Sequence, residues 1–96
     1  MPAASAIAPC PGLSVTRAGI TFTDSLGRKH DLRAPAQKPI PLKTAAALFA
    51  SGRSVVWLRR EINAGHIYPV LKSSARLIEV YPAAIEDWHA RKLSAA

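Results

Sequence analysis

Two glycines, Gly52 and Gly65, bracket the segment RSVVWLRREINA and leave it little conformational choice. Ser54 offers a side-chain oxygen where a helix N-cap needs one, and no breaker interrupts 55–64. Gly65 is the residue type that best tolerates a left-handed helix stop. Upstream, KTAAALFAS is built on alanine, the best helix former, with Thr44 near its start and Leu48 and Phe49 as its apolar side. The sequence therefore predicts a helix over 43–51 ended by Gly52, a turn of about three residues, and a second helix over 55–64. Two helices joined in this way form a helix-turn-helix.

Helical angles assign the faces of the second helix. At about 100° per residue, Val55, Leu58 and Ile62 fall within ~60° of one another and form the inward stripe. Arg60 lies nearly opposite, with Arg53, Val56, Trp57, Asn63 and Ala64 spread around it and Arg59 beside the stripe. This outward face carries guanidinium, amide, indole and small apolar groups, the set that reads base edges in the major groove: arginine forks to guanine, asparagine to adenine, carbon to the thymine methyl. A merely solvated face usually carries Lys/Glu pairs four residues apart, and here only Glu61 compensates the arginines. Trp57 has two open destinations, DNA or the underside of the following hairpin against Ile67 or Ile78.

Beyond Gly65 the period changes. HIYPVLKSSARLIEVY predicts two strands, 67–71 and 77–81, joined by the polar turn KSSAR. Its Lys72, Ser73, Ser74 and Arg76 are suited to phosphate or minor-groove contacts. PAAIEDWHARKL then predicts a last helix, with Pro82 in its first turn, Glu86 and Asp87 towards its positive end, Arg91 and Lys92 towards its negative end, and Ile85, Trp88 and Leu93 facing inward. On the N-terminal side, 13–33 alternates apolar and polar residues around DSLGR and predicts a β-hairpin in which Ile20 and Phe22 face His30 and Leu32. APAQKPIP, 34–41, reads as an extended linker and domain boundary, because proline fixes φ and removes a donor. Residues 1–12, rich in Ala, Pro and Ser, read as a flexible tail. The fold class is thus α+β: helix, helix, β-hairpin, helix over 42–93, preceded by a β-hairpin.

Charge narrows the partners. Thirteen Lys and Arg against six Asp and Glu give +7, which favours a polyanion such as nucleic acid or an acidic membrane face. Cys10 is the only cysteine, so no internal disulfide forms, and three scattered histidines give no zinc spacing. No apolar run spans a bilayer and MPAASAIAPCPG has no signal-peptide pattern, so a cytoplasmic protein is expected. No nucleophile–base set, carboxylate pair or phosphate loop is present; His66 and His89 read as packing or surface residues, and neither catalysis, metal nor cofactor is expected.

In order and spacing, Leu42, Gly52–Ser54, Gly65, Pro69, Lys72–Arg76 and the run Ile85-Glu86-Asp87-Trp88 resemble the MerR-type winged helix-turn-helix of phage excisionases, AlpA-like regulators and some phage terminase small subunits. The resemblance covers a little over half of the chain. It implies a winged helix-turn-helix in which the helix from Ser54 enters the major groove, so that Arg53, Ser54, Val56, Trp57, Arg59, Arg60 and Asn63 contact DNA. It also implies wing contacts from Lys72, Ser73, Ser74 and Arg76, and backbone contacts from Lys43 and Thr44 on the first helix. The implied partners are double-stranded DNA, further copies of the chain on adjacent DNA sites, and an integrase or other mobile-element protein. The sequence departs from the family in placing Val55, Val56 and Trp57 after the cap, in opening the last helix with Pro82-Ala83-Ala84 instead of a Ser or Asp cap, and in its N-terminal 41 residues. It has no long C-terminal coiled coil, so ligand-gated activation is not expected.

The function expected is that of an excisionase-like architectural factor or small transcription regulator of phage or mobile-element origin. Two alternatives stand beside it: a winged-helix protein–protein interaction module anchored by Trp57 and Val56, and the DNA-recognition subunit of a phage packaging machine. Salt separates the first from DNA binding, because phosphate contacts weaken steeply with salt and a tryptophan-centred interface does not.

Overall fold

A computed structural model of the chain describes residues 6–8, 10–74 and 76–95. The alternating segment after residue 12 forms β2 (Leu13–Thr16), β3 (Gly19–Thr23) and β4 (Lys29–Asp31), following a two-residue strand β1 (Ala6–Ile7). Then come a 3-10 turn over Pro35–Gln37 and a short strand β5 (Ile40–Pro41). The remainder is α1 (Leu42–Leu48), α2 (Val55–Asn63), β6 (Val70–Lys72), β7 (Ile78–Val80) and α3 (Pro82–Ala95). The described residues make a small α+β fold with three α-helices and two antiparallel sheets, one ordered β2-β3-β4 and the other β1-β6-β7-β5. None of these helices is long and apolar enough to cross a membrane.

Both helices of the first pair form for the reasons their residues suggest, with shifted ends. α1 begins at Leu42 with Pro41 as N-cap and no side-chain cap, so Thr44 lies inside its first turn. It stops at Leu48, short of the expected 51, because Phe49 leaves the helix in extended conformation to bury its ring. Ser51 and Gly52 then both take positive φ, 65° and 57°, and reverse the chain. α2 is capped as expected: Ser54 Oγ accepts from Trp57 N at 3.1 Å, and Gly65 ends the segment at φ 82°. β6 and β7 are shorter than the expected 67–71 and 77–81, pairing Val70 with Val80 and Lys72 with Ile78.

The main core collects Leu42, Ala45, Ala46 and Phe49 from the α1 region, Leu58 and Ile62 from α2, Val70 and Ile78 from the hairpin, and Ile85 and Trp88 from α3. Leu93, expected to face inward, is 79 % exposed. A second cluster joins Phe22 and Leu32 to Tyr81 and Ala83, with Ile7, Cys10 and Leu13 packed against it.

That second cluster corrects three expectations about the N-terminal side. The expected hairpin 13–33 has a third strand, β2, although its β3–β4 part pairs Phe22 with His30 as foreseen. The expected linker 34–41 is not extended throughout, since it holds the 3-10 turn and β5. Ile40 pairs with Val80, and Gln37 Oε1 accepts from Ala83 N at 3.0 Å, supplying from outside the helix the cap that Pro82-Ala83-Ala84 lacks. Nor is all of 1–12 a loose tail: Ala6 pairs with Lys72, Ile7 pairs with Leu71, and Ala8 N donates to Val70 O at 3.0 Å. The part of the tail reading that falls on residues 1–5 and Pro9 lies outside the described residues. Burial first, and Asp87 second, push the Cys10 thiol upward, which disfavours the reactive thiolate.

Two buried aspartates fasten the β3–β4 turn. Asp24 accepts from Leu26 N, Arg28 N, Arg28 Nε and His30 Nε2 at 2.8–2.9 Å. Asp87, expected to serve the helix dipole, is fully buried and accepts from Ser25 N at 2.8 Å, tying the turn to α3. Arg91 Nε stands 3.0 Å from Asp87 Oδ2, a close charge pair without an aligned hydrogen bond.

Candidate nucleic-acid interface

The inward stripe of α2 is Leu58 and Ile62, both buried, with Val55 half-buried against the same core. That fixes what remains outside. Val56 is 68 % exposed, Arg60 and Asn63 are exposed, and together with Val55 and Arg59 they line a shallow depression of about 500 Å³. A guanidinium, an amide and a valine methyl surface thus share one helix face.

The β6–β7 turn is held by its own hydrogen bonds. Ser73 N donates to Leu77 O at 2.9 Å, and Ser74 Oγ accepts from Arg76 N at 3.2 Å and Leu77 N at 3.1 Å. Ser74 is therefore a turn-forming residue as well as an exposed one. Ala75 lies outside the described residues. Lys72, Arg76 and Leu77 are exposed. Between this turn and α2 runs a cleft of about 410 Å³ lined by Arg59, Ser73, Arg76, Leu77 and Glu79, with Pro41 and Leu42 at its α1 end. Arg59 lines both this cleft and the depression on α2, so the two lie side by side. Glu79 is the acidic member, visible in the sequence only as a strand residue of undecided face. Burial, and then Glu79, raise the nearby Tyr81 hydroxyl.

Of the expected site residues, Val56, Arg59, Arg60, Asn63, Ser73 and Arg76 line these two pockets, Ser74 belongs to the turn, and Lys72 ends the strand β6 that leads into it. Ser54 is the cap of α2. Lys43 and Thr44 are exposed on α1. Trp57 lines neither of these pockets; it packs against the main core. It is half-buried, edge-on to Phe49 at 5.6 Å and to Trp88 at 5.8 Å between ring centroids, because α3 and the turn after α1 close over that flank of α2. Arg53 goes with it, stacked 5.1 Å over its ring, and Lys92 sits 5.4 Å over Trp88. Arg53, Trp57, Trp88 and Lys92 line a separate cavity of about 490 Å³. That second cationic group escaped the reading of α2 alone, although Lys92 was visible as a cation near the end of the last helix.

His66 and His89 are engaged locally. His66 Nδ1 lies 3.3 Å from Glu61 Oε1, His89 Nε2 lies 3.3 Å from the Leu48 carbonyl, and Arg91 Nη2 donates to the His66 carbonyl at 2.6 Å. Among the described residues, no three His, Cys, Asp or Glu side chains are grouped to hold a metal ion. No protein-family model, curated protein or solved structure matches this chain.

Proposed function

We propose that the chain is a sequence-specific, non-enzymatic DNA-binding protein built as a winged helix-turn-helix. α2 is the recognition helix and the β6–β7 turn is the wing. The observation that carries this reading is that Arg59 lines both the depression on the outward face of α2 and the cleft beside the turn. On a duplex, Arg60 and Arg59 offer forked donors to guanine, Asn63 pairs with adenine, and Val56 meets a thymine methyl. Lys72, Ser73 and Arg76 take phosphates or the neighbouring minor groove, and Lys43 and Thr44 take backbone phosphates beside α1. The net charge of +7 supports the same partner.

A single domain of this size makes a limited DNA interface and reads few base pairs alone. That suits an excisionase-like architectural factor or a small regulator of phage or mobile-element kind, working in the cytoplasm near an integrase or similar protein. Selection of bound duplexes from a random pool tests the proposal. An enriched sequence is expected, with log K falling linearly against log salt at a slope of about −3 to −5 for four or five phosphate contacts. Enrichment of no sequence at all, with equal binding to every duplex, contradicts sequence-specific recognition.

A further inference from the structure

On α3, Glu86, His89, Ala90 and Leu93 recur at the spacing that places them along one helical stripe. The β3–β4 turn lies against that stripe, and with Leu26 and Arg28 it completes a mostly apolar groove of about 480 Å³. Two leucines sit at this groove in the open, Leu26 at 57 % and Leu93 at 79 % exposure. Leu26 occupies a turn, where polar residues are the rule. Nor is the turn loose. Leu26 N and Arg28 N both donate to Asp24 Oδ1 at 2.9 Å, and Ser25 N donates to the buried Asp87 carboxylate. Buried carboxylates thus hold an exposed leucine in place beside another on the neighbouring helix. A fixed, contiguous apolar surface of this kind marks an interaction site.

We infer that a second copy of the chain covers this groove, forming a two-fold dimer through α3 and the β3–β4 turn. The charges at the groove choose this occupant. Arg28, whose Nε is held by the buried Asp24 carboxylate at 2.8 Å while the side chain stays about half exposed, lies at the same groove as the exposed Glu86, and no ion pair joins Arg28 to Glu86 within the chain. A two-fold axis presents Arg28 of each copy to Glu86 of the other, which is the self-complementarity an isologous interface requires. Two chains of +7 repel one another, and here they approach on a face where the acidic and basic groups cancel. None of these residues lines the α2–hairpin surface, so that surface stays open and the inference does not depend on DNA binding. The patch is small beside a standard interface of ~800 Å² per partner, so the dimer is weak, with Kd on the order of 10–100 µM.

Sedimentation equilibrium of the full chain without DNA tests this. The weight-average mass should rise from the monomer's 10.3 kDa towards twice that value as concentration increases. Leu93→Asp buries a charge in the interface, and Glu86→Lys turns each attractive pair into a repulsive one; each should weaken the dimer about tenfold or more. Both positions are exposed, so thermal melts of the dilute variants should match the wild type, and Leu26→Ser gives an independent third variant on the other side of the groove. A mass that stays at the monomer value up to ~500 µM, well above the expected Kd, overturns the inference. So does a dimer that none of these substitutions weakens, or growth into species larger than a dimer.

Discussion

Asp24 shows how one side chain can govern the acid stability of this fold. Burial pushes its carboxyl up, but hydrogen bonds from the His30 side chain, from the Arg28 backbone and side chain, and from Leu26 N outweigh that and hold it at about 2. The folded value lies below the ~3.9 of an unfolded aspartate, so the stabilisation is fully present above that pH. It is lost as the pH falls through about 2. Urea melts of Asp24→Asn against wild type should therefore differ at neutral pH and converge in strong acid; a difference that stays constant down to the bottom of that range contradicts the network. Trp57 makes a second residue-scale case. Its ring is half-buried between Phe49 and Trp88, so Trp57→Ala should cost about 2–3 kcal/mol, below the range for a fully buried aromatic. That corresponds to a fall in Tm of roughly 10–20 °C, with DNA affinity kept by the folded fraction. Normal melting with lost affinity would return Trp57 to the DNA face.

At the scale of elements, the proposed DNA-binding surface is divided between α2 and the β6–β7 turn. Arg59, Arg60 and Asn63 present side chains of base-reading type, whereas the turn offers cations at a tip. Replacing Lys72 and Arg76 together by alanine should weaken binding to all duplexes alike and reduce the salt slope by about two. Loss of sequence preference at an unchanged slope would show that the tip reads bases. Much of α2 was legible in advance because its determinants are local: the Ser54 cap, the Leu58–Ile62 stripe and the Gly65 stop all depend on nearby backbone. The neighbour of Trp57 was not legible. A helical angle gives a residue its side of the helix, but the aromatic partners come from after α1 and from α3, whose approach no period in α2 encodes. Leu93 failed in the same way: spacing put it on an apolar stripe, yet it stands exposed at the rim of the groove between α3 and the β3–β4 turn.

The whole molecule is more integrated than its composition suggests. Proline and alanine made 34–41 read as a linker, but an edge strand tolerates proline, and β5 is the edge of its sheet. β1 has two residues, too few to show an alternation, and its partner β6 is far away in sequence, so nothing local announces the pair. Phe22 is fully buried in the cluster shared with Tyr81 and Ala83. Phe22→Ala should therefore cost about 3–5 kcal/mol and lower a single cooperative transition of the whole chain. Two separate transitions, with α1 to α3 melting as in the wild type, would restore the boundary that the prolines suggested.

The central claim is that α2 and the β6–β7 turn form one DNA-binding surface, and backbone amide shift mapping by NMR tests it most directly. On titration with the selected duplex at low salt, the account predicts the largest perturbations at Val56, Arg59, Arg60, Asn63, Ser73 and Arg76. Trp57, Trp88 and Lys92 should change little. Perturbations concentrated around Trp57, Trp88 and Lys92, with α2's outward face silent, would contradict it.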